Sequence, residues 1–589
     1  MRILSPLHNT RPAYRAAPRP ITATFLSLLF LTPLASAQIE QSLIPAPAAQ
    51  APAYRLWPSN TPKDCPFPPS KDLSAIAFTG KHAEYTGADT WYPSWASDGN
   101  MYSPWTDGNV NGLGCSSGGK DAATGHAKIV GDDPLKLQVL DQAIFKSAPT
   151  PYEGRYPCGS LVYNGVWYYG TYCLHPSGSV NHTDGVTYNW PWLGPFVGFR
   201  YSTDFGKTWT QTPCTPAKPL FGESALKGEP VKIGSPHFVD FGKNMQHSPD
   251  AKAYLVAHGA SDSANRRFAY NSWITGDEIY LTRVIPSIQN INDLDKYEFF
   301  AGHDNNKQPL WTSDFSKIKP IAAWKDNMGC VTITYNAPLK KYLMCVTDGT
   351  NTCGYFNTYI LESDRITGPF NLVQYMHHFG EQAYFVNIPS KFISPDGRTL
   401  WLCYAANFAP NWNNMAIKPN PRGSRYAMCL QQLKLLSPTD AAQSGPLNSP
   451  DDIATQATLT VSSTHLDYSP EGAIDGIVGG FPKDISQEWT SRAESTTAML
   501  RLSWDSDQTI DRIWLFDRPN PLDQITAGML IFSDGSTIPT KALPDDATRG
   551  LQVTFPPKKV KWIIFAVTDV KPNSPNIGLS EIAVFRAKP

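Results

Sequence analysis

Four short β-type runs follow one another between residues 158 and 212: CGSLVYN (158–164), GVWYYGTYC (165–173), FVGFRYS (196–202) and TWTQT (208–212). Each run is rich in β-branched and aromatic residues, and turn-forming residues separate the runs, which is the pattern of strands joined by turns. Helical periodicity is almost absent from residues 64 to 436. This part of the chain is therefore predicted to be all-β.

Similar groups of about four runs recur along the chain with a period of roughly 70 residues. Other groups begin at DTWYPSWAS (89–97), SPHFVDFG (235–242), GCVTITYN (329–336) and YFVNIPSKFIS (384–394). The last group lacks a fourth strand, which DLSAIAF (72–78) would supply to close a ring. Four-stranded units repeated around a ring form a β-propeller. We therefore predict a five-bladed propeller over residues 64–436.

The composition limits the classes of partner. A net charge of -1 and a pI of about 6.9 give no electrostatic reason to expect nucleic acid or an anionic membrane. The chain contains 17 Trp, 26 Tyr and 52 Pro, and only 17% of its residues are charged. Such a surface suits neutral ligands with flat faces, such as sugars, although a β-rich core also needs aromatic residues. We expect a glycan partner, no nucleic-acid or membrane partner, and a monomer.

The N-terminal segment indicates export. Arginines at positions 2, 11, 15 and 19 precede the apolar run ITATFLSLLFLTPLA (21–35), and the small residues Ala35-Ser36-Ala37 follow. This order predicts a secretory signal peptide over residues 1–37, with an uncleaved anchor as the alternative. Residues 38–63, rich in Ala, Pro and Gln, read as a flexible leader. The protein is therefore expected to be secreted.

Export has two consequences for covalent chemistry. All ten cysteines precede residue 430, and an even count in an exported chain favours disulfides, up to five of them with undetermined pairing. The tripeptide Asn181-His182-Thr183 is a glycosylation sequon, so Asn181 is a predicted glycan attachment site on a surface loop.

The stretch STDFGKTW (202–209) matches the pattern S-x-D-x-G-x-T-W, known as the Asp-box. It resembles the turns between outer strands of propeller blades in sialidases and other secreted glycan-active proteins. The resemblance supports the propeller and is specific for a turn rather than for catalysis.

The composition changes after residues 437–454, whose Pro, Ser and Asp content predicts a linker. Beyond the linker, the loop Ala473–Gly476, then Trp489 and Gly578–Ile582, resemble the signature of the discoidin β-sandwich (coagulation-factor type C). The resemblance covers residues 455–589 and implies a carbohydrate-binding module.

In such modules the Asp-Gly loop and the late Glu often support a structural calcium ion, which prefers oxygen ligands. The resemblance therefore implies that Asp475 and Glu581 are calcium ligands. The alternative is that Asp475 forms a turn and Glu581 a surface pair. No cofactor is expected for catalysis.

In a propeller, the first strand of each blade and the loop after it face the central depression, where ligands bind. This rule selects six candidate residues: Asp89, Arg155, Tyr156, His237, Asp326 and Asn387. Two tryptophans beside the first of these residues, Trp91 and Trp105, would stack on sugar rings unless they pack between blades.

Asp89, Asp98 and Asp107 are evenly spaced in the sequence. Asp98 precedes Gly99 between two β-runs and is predicted to form a hairpin turn. Asp89 and Asp107 flank that hairpin, so strand pairing would bring them to ~5–10 Å. Glycoside hydrolysis uses two carboxylates ~5 Å apart for retention or ~6.5–9.5 Å apart for inversion. We therefore predict that Asp89 and Asp107 are the catalytic pair.

The Asp before the first strand, the Asp98-Gly99 hairpin and the closing Trp105–Gly108 together resemble the start of a secreted propeller family formerly of unknown function. That family includes endo-D-arabinanases, which implies hydrolysis of arabinofuranoside-type linkages. The third blade, however, opens with Ser235–Asp240 and supplies no Glu of the kind that arabinanase-type sites use.

Two alternatives remain open. A polysaccharide lyase cleaving beside a uronic acid, of the rhamnose-glucuronate type, would need a cation and a His or Tyr base. Three residues would supply them: Arg155, His82 and His237. A lectin without catalysis is the second alternative, because propellers and discoidin modules also bind glycans without cleaving them.

Overall fold

The computed structural model describes residues 39–45, 55–57, 61–175, 179–181, 187–189, 192–226, 230–260, 273–349, 354–408, 420–438, 447, 451–547 and 549–587. These residues form a five-bladed β-propeller followed by a β-sandwich, which confirms the predicted fold class. The predicted signal peptide lies outside the described residues.

Each blade is an antiparallel sheet whose strands are arranged one after another outward from the central axis. Blade 1 contains Gly87–Asp89, Met101–Val110, Ala123–Val130 and Gln138–Lys146, with Ser94–Trp95 and Leu113–Cys115 at its side. Blade 2 contains Gly154–Tyr163, Val166–His175 and Trp192–Ser202, and a bridge from Tyr201 to Thr210 marks its outer edge. A separate ribbon of Ser179–Asn181 and Thr187–Asn189 holds Asn181.

Three further blades complete the ring. Blade 3 contains His237–Phe238, Ala253–Gly259, Glu278–Val284, Glu298–His303, Pro309–Thr312 and Pro320–Ala323. Blade 4 contains Val331–Asn336, Lys341–Asp348, Asn357–Ser363 and Asn371–Met376. Blade 5 contains Tyr384–Asn387, Thr399–Ala405, Cys429–Leu436, Ala75–Glu84 and Arg55–Leu56. Short 3-10 turns connect some strands: Lys243–Met245, Leu294–Lys296, Phe315–Lys317 and Ser390–Phe392.

Blade 5 closes the propeller with strands from both ends of the domain. The N-terminal strand Ala75–Glu84 pairs with Cys429–Leu436, so that Phe78 lies opposite Leu433 and Ile76 opposite Leu435. The prediction that residues 72–78 complete the deficient group is confirmed. Apolar side chains from these strands fill one shared core, which holds the two ends of the domain together.

The Asp-box of blade 2 is a turn held by one carboxylate. Asp204 accepts hydrogen bonds from the backbone N–H (2.8 Å) and hydroxyl (2.7 Å) of Thr208 and from the hydroxyl of Ser202 (2.7 Å). These bonds, those of Thr208 first, lower the pKa of Asp204 to about 2. Trp209 folds back and donates to the carbonyl of Gly206 (3.0 Å).

The C-terminal domain is a sandwich around its own apolar core. Its strands are Thr458–Val461, Trp489–Thr490, Met499–Asp517, Ile525–Phe532, Thr537–Thr540, Arg549–Val570 and Gly578–Arg586, and its 3-10 turns are Ala454–Gln456, Pro470–Ile474, Ile485–Gln487 and Ser495–Thr497.

The predicted flexible leader is partly ordered, which corrects the sequence-based expectation. Glu40–Pro45 adds an edge strand to the sandwich, in register with Arg549–Thr554. A few residues later, Arg55–Leu56 pairs with the closing strand of blade 5. Open strand edges accept any extended segment, so an Ala/Pro-rich composition did not exclude this pairing.

The nine cysteines in the described residues are free, so the predicted disulfides are not found among them. Six of the nine are buried on strands, where a thiol packs as a small apolar group: Cys158, Cys173, Cys330, Cys345, Cys403 and Cys429. In the described part of the chain, no helix has the length and apolarity needed to cross a membrane.

We predict that Asp204→Ala lowers Tm at pH 7, because Thr208 and Ser202 lose their shared acceptor. The folded-state pKa of Asp204 lies below its ordinary value, so its stabilisation is present above about pH 4 and is lost as the pH falls toward 2. The loss of Tm should therefore shrink below pH 4. The exposed Asp121→Ala serves as the control in the same thermal scans. A loss of Tm that does not change with pH would contradict this account.

Candidate functional site

A cavity of about 330 Å3 opens on the propeller axis, where the inner strands of blades 1 and 5 meet. Hydroxyl, carboxyl and aromatic groups dominate its lining, which consists of Asp89, Thr90, Asp107, Ser116, Ser117, Gly118, Tyr156, Tyr172, Leu174, Trp273, Tyr384, Phe385, Phe408 and Tyr426. Both predicted catalytic aspartates therefore lie in one cavity, here called the central cavity.

Asp89 ends the inner strand of blade 1 and is 8% exposed. One carboxylate oxygen accepts a hydrogen bond from the hydroxyl of Thr90 (2.7 Å), and the other accepts one from the phenol of Tyr384 (2.9 Å). The strand register places Asp89 opposite Thr106, the residue before Asp107. The carboxyl group is thus held between two adjacent blades.

Asp107 reaches the cavity from the second strand of blade 1. Its backbone has a φ of 46°, a left-handed conformation that is uncommon for a residue with a side chain. The carboxylate accepts hydrogen bonds from the backbone N–H (2.6 Å) and the hydroxyl of Ser117. Asp98 lies outside the cavity in the predicted hairpin turn, where it accepts from the backbone N–H of Asn100 (3.0 Å).

The two carboxyl groups differ in their electrostatic environment. Burial, together with the charge of Asp107, raises the pKa of Asp89 well above its ordinary value. Burial also raises the pKa of Asp107, but the hydrogen bonds from Ser117 oppose the shift. The pair therefore favours a proton on Asp89 and a negative charge on Asp107, the division of roles that acid–base catalysis by two carboxyl groups requires.

Three tyrosines surround the carboxyl groups. Tyr156, predicted from the sequence, lies on the inner strand of blade 2 and faces the cavity, with its ring 5.6 Å from that of Tyr172. Tyr384 bonds to Asp89, and Tyr426 donates to the backbone carbonyl of Asp107. The sequence reasoning missed Tyr384 and Tyr426. Tyr384 begins the inner strand of blade 5, three residues before Asn387. The rule that first-strand residues face the central depression, which selected Asn387, therefore applies to Tyr384 as well.

Arg155 precedes Tyr156 on the same strand, and consecutive strand residues point to opposite faces. Its Nε donates to the hydroxyl of Thr171 (3.0 Å). Burial lowers the pKa of Arg155, and the neighbouring thiols of Cys173 and Cys158 partly oppose this shift. Arg155 is not among the residues that line the central cavity.

His237 and Asn387 line a separate cavity of about 50 Å3. The imidazole of His237 packs on the ring of Tyr92, with 3.9 Å between the ring centroids. Burial, and then the neighbouring His258, lowers the pKa of His237 to about 3. Asn387 donates to the carbonyl of Trp91 (2.9 Å), which joins the inner strands of blades 5 and 1.

The other predicted ligand-binding residues lie away from the central cavity. Trp91 and Trp105 are 1% and 0% exposed and pack in the core of blade 1, so they take the alternative of packing between blades. His82 is on the closing strand of blade 5. Asp326 is in the turn before blade 4, with a φ of 62°.

In the sandwich, the carboxylates of Asp475 and Glu581 accept hydrogen bonds from backbone N–H groups of one loop. Asp475 accepts a hydrogen bond from the backbone N–H of Ile477 (2.8 Å), and the buried Glu581 accepts one from Gly476 (2.9 Å). Within the described ranges, no group of three or more His, Cys, Asp or Glu side chains is arranged to hold a metal ion. These two carboxylates alone do not complete a calcium ligand set, and the calcium site stays a prediction.

A family described only as a domain of unknown function (DUF7402) matches residues 452–585, and no curated protein matches the chain. Among solved structures, a candidate hydrolase from Bacteroides ovatus is 11% identical, covering 67% of this chain and 96% of its own, with a TM-score of 0.36. A fucose-binding module from Streptococcus pneumoniae is 17% identical, covering 23% of this chain and 95% of its own, with a TM-score of 0.20.

A family 32 carbohydrate-binding module from C. perfringens NanJ, in complex with galactose, is 14% identical, covering 23% of this chain and 98% of its own, with a TM-score of 0.20. Identities this low do not transfer an activity, so function is inferred from the chemistry of the central cavity.

We predict that Asp89→Asn raises Tm at pH 8 and has a smaller effect at pH 4. The folded-state pKa of Asp89 is raised, so its contribution to stability is full below about pH 4 and is lost as the pH rises through the folded-state value. Asn keeps the shape and carries no charge.

Asp98→Asn is the matched control and should lower Tm at pH 8. Burial, which raises the pKa of Asp98, is outweighed by hydrogen bonds from Asn100 and Tyr102, so that its pKa lies below the ordinary value. If Asp89→Asn lowered Tm as much as this control does, the charge on Asp89 would not be a cost to the fold.

Proposed function

We propose that the protein is a secreted glycoside hydrolase that cleaves a neutral polysaccharide, with Asp89 as the general acid and Asp107 as the base or nucleophile. One observation carries the proposal: two carboxyl groups line the same cavity in environments that favour opposite protonation states. The C-terminal sandwich would hold the glycan near the propeller.

The proposed reaction breaks the bond between the anomeric carbon and the glycosidic oxygen. Asp89 donates its proton to that oxygen as the bond breaks, which releases the leaving group as an alcohol. Asp107 either takes a proton from a water molecule that attacks the anomeric carbon, or attacks that carbon itself. In the second case the resulting glycosyl ester is hydrolysed by a water molecule, whose proton returns to Asp89. Opposed and diagonal residues of paired strands lie roughly 5–8 Å apart, a range that includes the ~5 Å spacing for retention and overlaps the ~6.5–9.5 Å spacing for inversion.

The lining supports a neutral sugar as substrate. Its described residues include tyrosine and serine hydroxyls and aromatic faces, and none of them is Lys, Arg or His. Hydroxyls and aromatic faces match the hydroxyls and ring faces of a sugar. A uronate would place a second negative charge beside that of Asp107, so the described lining favours hydrolysis over the lyase alternative. The resemblance of the first blade makes arabinofuranoside-type linkages the expected target.

We predict that Asp89→Asn and Asp107→Asn each reduce the release of reducing ends by at least about 100-fold, the usual contribution of a general acid or base. The assay would follow reducing sugar and ultraviolet absorbance together on neutral and uronate polysaccharides. Asp98→Asn, a turn residue, should keep its activity.

Other outcomes separate the alternatives. Rising absorbance would indicate a new double bond and therefore a lyase. Glycan binding without either signal would indicate a lectin. Either result would contradict the proposed hydrolysis.

We predict that Ser117→Ala moves the acidic limb of the kcat/KM profile to higher pH, by on the order of one unit. The substitution removes the hydroxyl that stabilises the charge on Asp107, so the pKa of Asp107 rises. Ser116→Ala is the graded control, because its hydroxyl acts on Asp107 more weakly and should give a smaller shift. A lower plateau without a shift would show that Ser117 does not set the protonation of the base.

A further inference from the structure

A larger cavity, of about 500 Å3, lies between the propeller and the sandwich. Blades 4 and 5 contribute rings and polar groups to its lining, among them Tyr355, His377 and His378. The sandwich contributes oxygen-bearing side chains, among them Asp505 and Gln487. This interdomain cavity is separate from the central cavity and has no role in the reaction proposed above.

Three rings form a continuous stack on the propeller side. The ring centroids of Tyr355 and His378 are 4.4 Å apart, with an interplanar angle of 23°. Those of His378 and His377 are 3.6 Å apart, with an angle of 26°. Tyr355 is 39% exposed although it is a large aromatic residue. Burial lowers the pKa of both histidines, that of His378 to about 3, so the stack is uncharged at neutral pH. Uncharged rings of this kind suit the apolar face of a sugar.

The sandwich faces this stack with hydrogen-bond acceptors. Burial raises the pKa of Tyr355, and the negative charge of Asp505 contributes to this rise. Burial lowers the pKa of His377, and the same charge partly opposes this shift, so Asp505 acts on both rings. Asp505 is exposed, and the partly buried Gln487 lines the same cavity. A flat ring platform opposite carboxylate and amide oxygens matches a sugar, which has one apolar face and a rim of hydroxyl donors.

One wall separates the interdomain cavity from the central cavity. Tyr355 lines the interdomain cavity, whereas the next residue, Phe356, packs against Trp273 and Tyr384 of the central cavity at 5.7 and 6.3 Å. The backbone N–H of Phe356 donates to the carbonyl of Glu381 (2.9 Å). Glu381 is itself one of the residues that line the interdomain cavity. A single layer of residues therefore separates the two cavities.

We propose that the interdomain cavity is a second glycan-binding subsite, which holds a neutral sugar of the same chain that is cleaved in the central cavity. This inference rests on the proposed function for the identity of the ligand. It makes the enzyme selective for long chains, because a short oligosaccharide fills the central cavity without reaching the ring stack. The sandwich then contributes to specificity as part of the substrate site.

Binding is tested without turnover in the full-length Asp89→Asn protein. Affinity gels would contain neutral arabinan, amine-bearing chitosan or polygalacturonate. We expect arabinan to retard the protein, and Tyr355→Ala to weaken that binding roughly three- to tenfold, the loss of one aromatic contact. Tyr355→Phe should restore binding, because it keeps the ring.

The sandwich side has a matched pair of variants. Asp505→Asn should weaken arabinan binding, whereas Asp507→Asn should leave it unchanged, because Asp507 pairs with Lys559 (3.0 Å) and is not part of the lining. Equal binding by all four variants, no retardation by arabinan, or preference for polygalacturonate would overturn the subsite.

Kinetics separate failure of the subsite from failure of the proposed function. In the otherwise wild-type protein, Tyr355→Ala should lower kcat/KM on the polymer three- to tenfold and leave that on a trisaccharide unchanged. Equal losses on both substrates would overturn the subsite while hydrolysis stands. If Asp89→Asn cleaves as well as wild type while Tyr355→Ala loses binding, the catalytic assignment fails and the subsite stands.

Discussion

The pairing of Ala75–Glu84 with Cys429–Leu436 is the constraint on which the rest of the molecule depends. It closes blade 5 with a strand from the start of the domain and so brings blade 5 against blade 1. Two hydrogen bonds cross this seam on the inner side, from Tyr384 to Asp89 and from Asn387 to the carbonyl of Trp91. The protonation of Asp89 therefore depends on closure of the ring, because an open ring would expose the carboxyl group to water and remove its phenolic partner.

Closure also explains how the fold tolerates a buried carboxyl group. Removing Asp89 from water disfavours its charged form, and the nearby Asp107 adds repulsion. A protonated Asp89 avoids most of this cost, while Asp107 keeps its charge near Ser117. The arrangement reduces stability at neutral pH and supplies the acid and the base of the proposed reaction, a balance between stability and activity that is common at enzyme sites.

Strand spacing made the propeller, its closure and the positions of Asp89, Asp107 and Tyr156 predictable, because each follows from where an inner strand begins. Tyr426 and Ser117 were not predictable in the same way. They reach the cavity from loops outside the inner strands, and their positions depend on how those loops fold back. Trp91 packs in the core because it follows the end of the inner strand at Asp89, where strand alternation does not fix whether a side chain faces the cavity or the core. The prediction of a flexible leader from its composition was wrong at Glu40–Pro45, because the strand there depends on a free strand edge in another domain.

That edge strand bears on how the two domains act together. The sandwich is connected to the propeller twice: through the linker after residue 436, and through the N-terminal segment that pairs with the sandwich at Glu40–Pro45 and with blade 5 at Arg55–Leu56. A second connection reduces the range of positions that the sandwich can sample relative to the propeller. The effective concentration of the sandwich surface at the propeller surface is therefore higher. With one tether, an interdomain cavity would vary in width. With two, the width of the cavity is restricted, so the N-terminal segment would support the proposed subsite without touching the glycan.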